Sequence, residues 1–240
     1  AVSLVQRLGT VLHGLVEGYQ LPQEMHRAIE RRVQAIAGDL NLPDCGVDDL
    51  ERFQGAEVWH CAASLKHQER YVESIFRTNV QGTAHAVSLA KKLDAPWFNT
   101  ISTAYVAGRR SGWIRPEPAD ADLTNNYYER SKVQAEAVAA DMGLPTRIMR
   151  PGAVIGHSTT MHALNYNGLY GLLRGLMKFR GALERSQPGL SKRIRIRLRV
   201  DAEGALGLVP IDHVAQDAAG LSLHAAPPGI YHLTNPSPPL

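Results

Sequence analysis

The chain has 240 residues, 44% of them apolar and 20% charged, with a formal net charge of +3. That composition excludes a disordered tail, a collagen-like fibre and a disulfide-knit miniprotein, and the length suits one domain or one domain with a smaller lobe. So mild a charge calls for neither nucleic acid nor an anionic membrane as partner, and two cysteines, Cys45 and Cys61, are too few for a disulfide framework or a cysteine-built zinc site.

In chain order, residues 1–8 read as the end of an amphipathic helix stopped by Gly9. Residues 11–16 form a short apolar run expected as a strand. A helix over 21–32 leads to a strand over 33–37 closed by Gly38-Asp39. A short helix over 47–53 precedes a buried strand over 58–63. A long helix spans 68–93 and contains Asn79, a poor interior helix residue that suggests a structural task. A strand over 97–102 ends in hydroxyls. A helix over 126–142, stopped by Gly143, is followed by a strand over 146–149. Strands and helices alternate one for one, and the strands are apolar runs, which predicts a doubly wound α/β fold with a parallel sheet covered on both faces.

After Gly152 the rhythm changes. A helix is expected over 163–179 and another over 212–223. Arg193, Arg195, Arg197 and Arg199 alternate with Ile194, Ile196, Leu198 and Val200, the period of a half-buried strand. The sequence thus divides into a dinucleotide-binding domain, 1–155, and a small substrate lobe, 156–240, mixed with returning elements of the first. The longest stretch without Lys, Arg, Asp or Glu, 151–173, contains His157, Ser158, Thr159, Asn165 and Asn167, so no membrane span is expected. The N-terminus shows no basic, apolar leader, and with only two cysteines a reducing cytoplasm fits best.

The sharpest chemical feature is Tyr128 followed by Lys132. Four residues apart on a helix, the two share a face, and an ammonium beside a phenol is expected to favour the phenolate. Such a tyrosine can exchange protons with a carbonyl or alcohol. Alone, the pair is also what a solvated helix face displays. Context sharpens it: Ser102 and Thr103 end a strand on the ligand-binding edge of such a sheet.

The ordered set Gly38-Asp39-Leu40, His60-Cys61-Ala62-Ala63, Asn79-Val80 with Gly82-Thr83, Ser102-Thr103, Tyr128 with Lys132, Arg150-Pro151-Gly152 and Val209-Pro210-Ile211-Asp212 resembles the extended short-chain dehydrogenase/reductase superfamily. Within it, the pattern is most similar to the fatty acyl and thioester reductases of the male-sterility type. The resemblance implies a Rossmann-like fold and an NAD(P)H-dependent reductase of an acyl thioester, carried on coenzyme A or a carrier protein. It implies Tyr128 as general acid, Lys132 on the nicotinamide ribose, Thr103 (with Ser102 beside it) on the substrate carbonyl, and Asn79 as the anchor of its helix. Asp39 and Leu40 would face the adenine, Ala62 and Ala63 would line the dinucleotide track, and Pro151 and Gly152 would pack near the nicotinamide.

Two features depart from the pattern. Gly9, Gly14 and Gly18 lack the spacing of a phosphate-binding loop, and the chain starts without Met, as though inside the family's first helix; an incomplete stretch of a longer protein is expected. Glu17 follows the run 11–16, where relatives carry an Arg for the 2′-phosphate of NADP(H); an acidic residue there suits NAD(H), while the resemblance itself implies NADP(H). Two other readings stay open: an NAD-dependent sugar-nucleotide epimerase or dehydratase, and a non-catalytic scaffold.

The remaining features have two readings each. Residues 192–199 are either a basic strip for the phosphates of a carrier or the solvated face of a strand. The helix over 163–179 either walls an acyl tunnel or packs as ordinary core or a dimer face. Cys61 is expected to be a buried small hydrophobe, and none of the ten histidines has metal-ligand spacing.

Overall fold

The computed structural model describes residues 3–166, 168–195 and 206–237. Helix α1 (Leu4–Gly18) opens the chain, followed by α2 (Gln23–Arg32). Strand β1 (Val58–His60) begins the sheet. A helical run follows: α3 (Val72–Phe76), a π turn over Arg77–Gln81, and α4 (Gly82–Lys92). Strand β2 (Phe98–Ile101), helix α5 (Tyr127–Asp141) and strands β3 (Thr146–Pro151) and β4 (Ala153–Ile155) complete the first part. Then come α6 (Leu169–Ser186), α7 (Leu190–Arg193), β5 (Leu208–Pro210), α8 (Ile211–Leu223) and β6 (Gly229–Leu233).

The main sheet is parallel throughout, in the order β1-β2-β3-β6. Parallel neighbours require crossovers, so the helical run α3–α4 links β1 to β2 and α5 links β2 to β3. Every strand then ends at the same edge. One face is closed by a cluster of Phe98, Val87, Ala86, Ala90 and Ala139, with Leu40 and Val58 packed against it. The other is closed by Met149, Val209, Val214, Ala218 and Leu233, largely from α8 and its flanking strands. A side chain such as Phe98, fully buried, contributes about 1.5–3 kcal/mol by leaving water. A second, two-stranded parallel sheet pairs β4 with β5, which the sequence reading did not anticipate.

Several expectations need correction. Residues 11–16 are helical, not a strand: a capping box of Ser3 and Gln6 starts α1 upstream, and Leu8, Leu12 and Leu15 fall on one helical face, so Gly9 does not stop it. Residues 33–37 lie in no strand among the described residues; with no ladder to join, Val33 and Ile36 remain exposed. The helix over 47–53 shrinks to a single 3-10 turn, Glu51–Phe53. The helix expected over 163–179 starts later and ends at Ser186. Of the alternating run 193–200, Arg193 closes α7, and 196–200 lie outside the described residues. Cys61 is exposed; Cys45 is the buried cysteine.

Candidate active site

Helix α5 presents the tyrosine and lysine. Its start is fixed by Asn126, whose Oδ1 accepts from Glu129 N (3.0 Å), while the Glu129 carboxylate accepts from Asn126 Nδ2 (2.9 Å) and from Asn125 N (2.6 Å). This reciprocal cap holds the first helical turn, and Tyr128 with it, against the chain entering from residue 125. One turn on, Lys132 is 3% exposed, and its Nζ donates to the carbonyl of Ile101 (2.9 Å), the last residue of β2. The ammonium is thereby tied to the carboxyl edge of the sheet, beside the buried Ser102 and Thr103.

Thr103 extends the strand and caps the short turn Ala104–Ala107, its Oγ1 accepting from Tyr105 N (3.2 Å). Its hydroxyl is near enough to Tyr128 to influence the phenol. Burial pushes the Tyr128 phenol above its ordinary value; Thr103 opposes this, and the neighbouring Glu129 and Tyr105 reinforce it. This corrects the expectation of a lowered phenol. A half-buried ring holds negative charge badly. Lys132 itself is lowered to about 8 by burial, against the opposing pull of Glu136.

Asn79 sits in the π turn, 1% exposed, and joins three elements. Its Nδ2 donates to Ser131 Oγ on α5 (2.9 Å) and to Ser64 O (3.1 Å), and its Oδ1 accepts from Ser64 N (2.7 Å). Ser131 in turn donates to Tyr128 O (2.7 Å). The loop after β1, which carries Ala62 and Ala63, is thus pinned to the helix that carries Tyr128. Nearby, Thr83 donates to Asn79 O (2.6 Å), so His60 Nε2 supplies the proton in its 3.0 Å contact with Thr83 Oγ1. Burial and the charge of Lys132 lower His60 to about 4, leaving it neutral.

Among the remaining candidates, Ala62 is exposed and Ala63 half-buried at the end of β1, and Pro151 and Gly152 stand at the end of β3. Gly152 is there because a Cβ would come within 2.3 Å of Gly207 O. Asp39 is exposed; its carboxylate accepts from Asn41 N (2.9 Å) and Asn41 Nδ2 (2.7 Å), and these bonds hold it below the usual carboxylate range. Leu40 packs against Gly82, and its carbonyl accepts from His85 Nδ1 (2.7 Å). Glu17 is a correction: it lies in the last turn of α1, its carboxylate 3.1 Å from His13 Nε2, and does not follow a strand, so its argument for NAD(H) falls. Among the described residues, no group of three or more His, Cys, Asp or Glu lies close enough to hold a metal. No helix among them is long and apolar enough to cross a membrane.

Sequence reasoning gave no role to the buried pair below the site. Arg150, 1% exposed, donates Nε to Glu136 Oε1 (2.9 Å) and Nη2 to Glu136 Oε2 (2.6 Å). The signal was present: Glu136 follows Lys132 by one helical turn on a face that must be buried.

A family model described as male sterility protein matches residues 8–218. The chain belongs to this NAD-binding family. As a male-sterility-type domain of the extended short-chain dehydrogenase/reductase superfamily, it has the Rossmann-like α/β fold. It is similar to the terminal R domain from the myxalamid PKS-NRPS biosynthetic pathway, with 29% identity and a TM-score of 0.70 over 92% of this chain and 54% of that one. A thiolation-reductase di-domain from an archaeal non-ribosomal peptide synthetase shares the fold at 19% identity and a TM-score of 0.66, over 94% of this chain and 48% of that one. A curated relative, isonitrile lipopeptide synthase of Streptomyces coeruleorubidus, is 26% identical over 232 residues, 90% of this chain and 14% of the synthase. The male-sterility domain described here therefore spans about half the length of the two solved structures and a small part of the synthase.

Proposed function

We propose that this chain carries the chemistry of an NAD(P)H-dependent reductase acting on an acyl thioester held on a carrier protein or coenzyme A. The reading rests first on the convergence of Thr103, Tyr128 and Lys132 at the carboxyl edge of β2. Its likeness to an R domain of a PKS-NRPS pathway supports the thioester. The male-sterility family match supports the nicotinamide coenzyme.

The residues fit the nicotinamide end of such a coenzyme. Ser102 Oγ is buried with no hydrogen-bond partner among the described residues, and it stands at the sheet edge beside Lys132. Lys132 would hold the ribose, Ser102 and Pro151-Gly152 would border the ring, Ala62 and Ala63 would line the track, and Asp39 and Leu40 would meet the adenine. When bound, the reduced coenzyme supplies a hydride to the thioester carbon. Thr103 orients the carbonyl oxygen by a hydrogen bond. Tyr128 gives that oxygen its phenolic proton, and its raised value suits the acid role, because the proton is present at neutral pH. Lys132, charged below about pH 8, stabilises the phenolate left behind. The resulting hemithioacetal expels the thiol and leaves the aldehyde; a second round gives the alcohol. Asn79 acts as a positioning residue, through Ser131 and Ser64.

The sugar-nucleotide reading drew on Glu17, and the place of Glu17 on α1 removes that support.

The test is Tyr128→Phe, assayed by oxidation of NADPH and of NADH with an acyl-pantetheine thioester. Turnover should fall by about 10²–10⁴ with little change in coenzyme affinity. Undiminished turnover removes Tyr128 from the mechanism.

A further inference from the structure

Beyond the end of β3, on the α5 side of the sheet, lies a cavity of about 180 Å³ lined by Ala104, Val106, Ala107, Ile114, Arg150, His232 and Thr234. Arg150 and His232 are neighbours across the β3–β6 ladder. Glu136 occupies Nε and Nη2 of Arg150, while Nη1 is buried and has no hydrogen-bond partner among the described residues. The same is true of Nη2 of Arg110, whose Nε donates to Ala107 O (3.3 Å) at the cavity wall. Arginine cannot relieve such a site by losing its proton, and a buried donor without an acceptor is costly.

We infer that this cavity is a binding site for a small oxyanion, a phosphate or a carboxylate, received by Arg150 Nη1 and Thr234 of the wall, with Arg110 close behind Ala107. The charge balance favours an anion: two guanidinium groups, Arg150 and Arg110, and one carboxylate, Glu136, act on His232 in the cavity wall. Burial first, and then the charges of Arg150 and Arg110, hold His232 below its ordinary value, with Glu136 opposing, so the imidazole stays neutral and can turn its one N–H donor to the ligand. The apolar walls of Ala104, Val106 and Ile114 strengthen any such contact. The volume is below the roughly 300–1,000 Å³ of ordinary organic-ligand pockets, which suits a group of a few heavy atoms rather than a whole nucleotide. Because Ala104 directly follows Thr103, the anion would sit beside the proposed catalytic hydroxyl, but its binding does not depend on any reaction there.

The test is titration of the chain with inorganic phosphate and, separately, with acetate, each against chloride at equal ionic strength. The readouts are the His232 ring resonance, assigned with His232→Gln, and the melting temperature. A saturable shift of His232 with a rise in melting temperature is expected for at least one anion. Arg110→Met should weaken that binding by about tenfold, the loss of one charge-assisted hydrogen bond; Thr234→Val should weaken it less. Tighter binding of phosphate identifies a phosphoryl group as the natural ligand, and tighter binding of acetate a carboxylate. A response no different from that of chloride overturns the site, as does one that both variants leave unchanged. Neither result bears on thioester reduction, which needs its own assay.

Discussion

The sheet interior and the outer helices hold together by different means. Between β2, β3 and their covering helices, polar side chains are buried outright: Arg147, Arg150, Asn79 and Asn99 are all within 1% of full burial. Asn79, Asn99 and Arg147 take partners far away in sequence and Arg150 takes Glu136, although one Nη of each arginine has no hydrogen-bond partner among the described residues. Arg147 donates to Ala226 O (2.7 Å), to Asn99 (3.2 Å) and to Glu57 (3.3 Å), and its guanidinium lies 3.6 Å over the Trp97 ring. Helices α2 and α6, in contrast, bury no residue, and Leu172, Leu173, Met177 and Phe179 of α6 stay exposed. The interior is specified by buried polar pairs reached across the fold, the outer helices by local helical preference.

That contrast can be broken experimentally. The largest effect should come from Glu136→Gln, which strands Arg150; a loss of about 3–5 kcal/mol is expected in urea unfolding, and a loss under 1 kcal/mol would contradict the account of the pair. Gly152→Ala forces a Cβ against Gly207 O and should cost about 1–3 kcal/mol. Asn126→Ala, which removes the cap of α5, should cost about 1 kcal/mol and lower turnover by loosening Tyr128. Leu173→Ala on α6 should stay within about 0.5 kcal/mol of the parent chain.

A pH experiment sharpens the same comparison. His60 is lowered to about 4 from 6.5, so between those values the unfolded chain binds more protons than the folded one, and stability rises with pH. Melting temperature should therefore fall as pH drops from about 6.5 to about 4. His60→Leu should flatten that limb, whereas replacing the exposed His13 of α1 should leave it intact.

What the sequence disclosed follows the same division. Strands β1, β2 and β3 were readable in outline, since 58–60, 98–101 and 146–149 fall within expected strands, but the buried Asn99, Arg147 and Arg150 interrupt their apolar character and β6 was not anticipated. Helix α5 announced itself through Asn126 and Gly143. The run at 11–16 is as apolar as a strand, but nothing local says whether a ladder exists to receive it; a capped start upstream decided for helix. Tyr128, Lys132, Thr103 and Asn79 were legible as residue types in order. The raised phenol was not, because the spacing of Tyr128 and Lys132 does not report how far the folded chain buries the ring. Arg150 and Arg110 gave no hint of a cavity, since their partners and their orphaned nitrogens depend on strands that meet only in the folded chain.

The π turn at Arg77–Gln81 means that this stretch of helix holds one residue more per turn than its two ends. Deleting Val80 would therefore leave a smooth α-helix whose flanks keep nearly their present phase, because the five residues of the π turn sweep about the same angle as four of an α-helix. Asn79 on one side could still reach Ser131 and Gly82 on the other could still meet Leu40. The extra residue is an insertion that the helix absorbs without moving either docking partner.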